Sequence, residues 1–181
     1  LDKAKEIFQS GPVPLKRAFE NNLDGVFEEH KKIVRKINRD TNLIIFYGIG
    51  TGLFYEAVRK WLKEDRTRKL LFIEDSCPAF DNFLRSALAH EILSSQQVSF
   101  QIVKEDDFLI KKIAWEHVLL RAQIFANPFY LKEKSPKFLE LKDKLTSEFY
   151  GANLIVGDYS DFGELHFRNV LKNLLSAQEL Y

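Results

Sequence analysis

Apolar positions in this chain switch between two periods, and each switch marks the edge of an element. Leu15, Phe19, Leu23, Val26, Phe27, Ile33, Val34 and Ile37 share one face at helical spacing, after a short amphipathic start that Ser10-Gly11-Pro12-Val13-Pro14 sets apart. Leu43-Ile44-Ile45-Phe46 is a continuous apolar run, as expected of a strand buried on both faces, and it breaks into Gly48, Gly50 and Gly52. Leu53, Val58, Trp61 and Leu62 resume helical spacing. Leu70-Leu71-Phe72-Ile73 then predicts a second buried strand, completing a βαβ unit.

Downstream, Ser76-Cys77-Pro78 has the chemistry of a helix start, with Phe80, Phe83, Leu84, Ala87 and Leu88 as its apolar stripe. Val98 to Val103 alternates apolar with polar residues, which predicts a third strand nearer a sheet edge, closed by Lys104-Glu105-Asp106-Asp107. Phe108 to Phe125 reads as a helix that Asn127-Pro128 breaks. A polar connection over Lys132 to Lys137 leads to another helix ending around Gly151. Asn153-Leu154-Ile155-Val156 reads as a fourth strand, followed by Gly157-Asp158. Asp161 and Glu164 have capping-box spacing for a last helix carrying Phe167, Val170, Leu171, Leu174 and Leu175.

The expected fold is α/β: a Rossmann-like, mostly parallel sheet of at least four strands flanked by helices, with a long helical insertion between the third and fourth. A helical N-terminal extension over 1–40 precedes the α/β domain over 41–181. In such a sheet the Gly48 turn and the end of the second strand share one edge, and that edge is where ligands bind.

The candidate ligand site is Gly48, Gly50, Thr51 and Gly52 with Glu74. Glycines admit close backbone approach, the following helix directs free N–H groups at negative charge, and a carboxylate at Glu74 can accept both hydrogen bonds of a ribose diol. Asp106, at the end of the third strand, and Asp158, at the end of the expected fourth, are further candidates. S-adenosylmethionine or a nucleotide is the implied ligand class. The opposing reading is that the glycines are tight strand-to-helix packing and that Asp106 or Asp107 caps a helix.

Leu53 stands where a dinucleotide fingerprint has its third glycine, so the turn is closer to the Gly-x-Gly-x-Gly loop of S-adenosylmethionine-dependent methyltransferases. Those enzymes usually carry an acidic residue two places before the first glycine, where this chain has Phe46.

Composition narrows the partners. With 181 residues, 45% hydrophobic and 29% charged, the chain can build one sizeable core. Its net charge of +1 creates no field toward nucleic acid or an anionic membrane. The basic face of Lys31, Lys32, Arg35, Lys36 and Arg39 has no interleaved aromatics and reads as a solvated helix surface, not a nucleic-acid patch. A single cysteine, Cys77, excludes an internal disulfide and a thiolate zinc site, and fits a reducing, cytoplasmic setting. No apolar segment approaches the roughly 20 residues of a membrane span. His30, His90, His117 and His166 have no metal-ligand spacing, so no metal is expected. Methionine is absent even at position 1, which points to a piece of a longer protein or to methionines left out of the sequence as written.

Two stretches, Phe46-Tyr47-Gly48-Ile49-Gly50-Thr51-Gly52 with Phe72-Ile73-Glu74-Asp75, and Phe167-Arg168-Asn169-Val170-Leu171-Lys172-Asn173-Leu174, resemble the N-terminal domain of the motility-associated factor family. The resemblance implies a Rossmann-like portion that precedes a second domain carrying Gly-Pro-Ser-Leu, linked to transfer of nonulosonic sugars onto flagellin and similar acceptors. That motif is not in this chain. Under this reading the catalytic residues lie beyond Tyr181, and the chain is an accessory domain whose partners are the remainder of a longer protein or an acceptor protein. A complete methyltransferase and a non-catalytic interaction domain are the alternatives.

Overall fold

The computed structural model describes residues 23–103 and 107–178. Among them the chain forms helix α1 (Leu23–Val34), strand β1 (Leu43–Tyr47), α2 (Leu53–Glu64), β2 (Lys69–Glu74), α3 (Cys77–Leu84), α4 (Leu88–Leu93), β3 (Val98–Ile102), α5 (Asp107–Glu116), β4 (Ala122–Ala126) and α6 (Pro128–Gln178). The N-terminal part of the helical extension, residues 1–22, lies outside the described residues.

The fold is α/β with a four-stranded, all-parallel sheet in the order β3-β2-β1-β4. β1 is central because its five residues are apolar and wholly buried, so both of its edges must find backbone partners. It pairs with β2 from Leu43↔Lys69 to Tyr47↔Ile73, and with β4 from Leu43↔Ala122 to Tyr47↔Ala126. The chain therefore leaves β1 first toward β2 and β3, and later returns on its other side. This is the switch point at which open parallel sheets form a crevice.

Alternation along β1 divides the side chains between two faces. Ile44 and Phe46 join Leu70, Phe72, Phe54, Val58, Phe83 and Ile92 in the main core. Phe46 stacks on Phe54 at 3.7 Å, and Phe72 meets Phe46 edge-on at 5.9 Å. Each such side chain contributes about 1.5–3 kcal/mol on burial. On the opposite face Tyr47 packs against Tyr130 and Phe138, at 5.8 and 5.9 Å between ring centroids.

The fourth strand is not where the hydrophobic pattern placed it. Ala122-Gln123-Ile124-Phe125-Ala126 is β4, and Asn153 to Val156 continues α6. The expected helix over Phe108 to Phe125 stops at Glu116, and Leu119 takes a left-handed φ of 71° before the strand begins. A short apolar run has no period that tells strand from helix, and here the unpaired edge of β1 decides. The insertion between β3 and β4 accordingly reduces to α5 and its flanks. No helix begins at Asp161, whose backbone lies within α6.

The molecule divides into two compact units. Among the described residues, one comprises 23–103 and 120–142, with the sheet. The other comprises 107–119 and 143–178. In the second unit Ile110, Ile113, Leu145, Phe149 and Ala152 are buried, the Leu119 N–H donates to Asn153 Oδ1 at 2.8 Å, and Lys144 pairs with Asp107 at 3.0 Å. No helix among the described residues is long and apolar enough to cross a membrane.

Candidate functional site at the glycine turn

The turn after β1 is built on backbone that only glycine adopts without strain. Gly48, Gly50 and Gly52 have φ of 85°, 55° and 83°, and Gly52 is the N-cap of α2. The Gly48 N–H donates to Ile73 O at 2.8 Å and the Gly52 N–H to Ile49 O at 3.0 Å, which folds the turn against the end of β2. Thr51 is half-buried within it.

Glu74 ends β2 beneath this turn and is buried. Its Oε2 accepts from the Ile49 N–H at 3.1 Å and the Tyr130 hydroxyl at 2.8 Å, while Oε1 accepts from the N–H groups of Asp75 and Ser76, each at 3.1 Å. A carboxylate offers about four lone-pair sites. All four are taken by the protein itself. Burial raises the Glu74 carboxyl above its ordinary range, and the donors from Tyr130, Ile49 and Ser76 pull against that rise.

Tyr130 does more than supply a donor. Its ring lies over Gly48 so closely that a Cβ there would sit 2.6 Å from the ring. Asn127 closes the next position, with Nδ2 3.0 Å from where a Gly50 Cβ would be, and it donates to Gly48 O at 3.3 Å. Beneath Gly52 are Ile92 and Phe83. The space that the glycines leave at the backbone is filled by the protein's own side chains.

The segment that delivers Tyr130 is fixed at both ends. Asn127 caps α6, accepting the Phe129 N–H at 3.1 Å, and Pro128 takes the first helical position. Farther on, Lys134 has non-helical dihedrals (φ −120°, ψ 23°) two residues ahead of Pro136, which lacks the N–H that would continue the helical ladder. Lys134 and Lys137 both pair with Asp75, at 2.6 and 3.2 Å, and the Tyr47 hydroxyl donates to Asp75 at 2.9 Å. Burial pushes the Asp75 carboxyl up, but Lys134, Tyr47 and Lys137 outweigh it and hold it below the usual range. Burial and the neighbouring Glu74 push the Tyr130 hydroxyl far up, so it remains a neutral donor.

Of the sequence candidates, Gly48, Gly50, Thr51, Gly52 and Glu74 come together at this edge. Asp106 lies outside the described residues. Asp158 is exposed on α6 in the second unit and ends no strand, because the strand expected before it is helix. Tyr130, Asn127 and Lys134 are the site residues that sequence reasoning missed, and Asp75, visible at the same strand end, reads from sequence as no more than a solvated turn residue, whereas it pairs with Tyr47, Lys134 and Lys137. Asn127-Pro128 after a β-capable run was the available signal, since it is a helix start as much as a break.

Phe46, the residue that departs from the methyltransferase pattern, is a core side chain with no exposure, stacked on Phe54. It offers no carboxylate to an amino acid moiety. His30 is likewise core, edge-on to Phe46 and Phe54 at 5.8 and 5.7 Å. Cys77 is a free, exposed thiol. Comparison with known proteins returns no matching family model and no matching curated protein.

Proposed function

We propose that this chain is an accessory Rossmann-like domain of a protein glycosyltransferase resembling the motility-associated factors, and that it positions a partner domain or acceptor protein instead of performing chemistry. The resemblance rests on the glycine turn, the Phe72 to Asp75 strand end and the Phe167 to Leu174 segment. One observation carries the non-catalytic part: Glu74 has no vacant acceptor site, and Tyr130 covers the glycine that a ligand would approach. In this reading the loop keeps the backbone form of a nucleotide site and serves as a rigid joint between β1, β2 and the start of α6.

The test is transfer chemistry. The gene downstream of Tyr181 is expected to encode a Gly-Pro-Ser-Leu domain, and the protein from the complete gene to move an activated nonulosonic sugar onto flagellin, whereas the 181-residue chain alone does not. Methyl transfer from S-adenosylmethionine by the 181-residue chain would overturn the proposal in favour of the methyltransferase reading.

A further inference from the structure

We draw no further inference here: the strongest candidate, the exposed apolar surface of α6 from Leu154 to Leu171, is spread around the helix, with Leu154 and Leu165 on the side opposite Tyr159 and Val170, and nothing in the structure shows what covers it.

Discussion

Two stretches of this chain expose or bury their chemistry in opposite ways. At the carboxyl edge of the sheet, a loop with the backbone of a ligand site is closed by Tyr130, Asn127 and four hydrogen bonds to Glu74. Along the distal part of α6, a helix with the pattern of a packed seam displays Tyr159, Phe162, Phe167 and Val170 to solvent. The sequence signal at the first region is that of a binding loop and at the second that of a core. The difference shows that a motif specifies backbone form, while the side chains delivered from elsewhere decide whether that form is available to a partner.

Substitutions at the two regions should therefore differ in size and in sign. The largest effect is expected at Glu74→Ala, which strands the N–H groups of Ile49, Asp75 and Ser76 and should cost about 4 kcal/mol in urea unfolding. A cost under about 1 kcal/mol would mean that the carboxylate does not hold the turn together. Gly48→Ala combines a left-handed φ of 85° with a methyl 2.6 Å from the Tyr130 ring, and a loss of about 3 kcal/mol follows.

Acid should act on the sheet unit through His30. Burial lowers its pKa from 6.5 to about 4, and its Nδ1 meets no hydrogen-bond partner among the described residues. The unfolded chain binds the proton more readily, so stability is full above about 6.5 and falls as pH drops toward 4. The loss should be roughly 2–3 kcal/mol. His30→Phe should flatten that slope in unfolding curves taken at successive pH values. An unchanged slope would assign the acid sensitivity elsewhere.

The smallest effect reverses sign. Gly157 lies inside α6 with open space where its Cβ would be, so Gly157→Ala should raise stability by up to about 1 kcal/mol. A loss comparable to that of Gly48→Ala would erase the contrast between the two regions.

How far the sequence carries depends on which force writes each feature. β1, β2 and β3 are legible because buried parallel strands need continuous or alternating apolar residues, and the Ser76 cap is legible because a hydroxyl before Cys77-Pro78 has few other roles. β4 is not legible in Ala122 to Ala126, since its identity comes from the open edge of β1 more than from its own period. Leu154-Ile155-Val156 misleads for the converse reason: apolar residues on a helix, Leu154 and Ile155 exposed and Val156 half-buried, look locally like a buried strand. Within the site, Glu74 and the glycines were visible as a ligand-binding pattern. What fills them was not, because Tyr130 is 56 residues away from Glu74 in sequence and reaches it only through the switch from β1 to β4.

Occupation of the glycine turn from within is what separates an accessory domain from a ligand-binding one. Calorimetric titration of the chain with S-adenosylmethionine, its demethylated product and a cytidine nucleotide measures that directly. The expected result is no heat of binding from folded protein. Binding in the micromolar range, about −8 kcal/mol, that weakens with Glu74→Ala would contradict it and make the turn a ligand site.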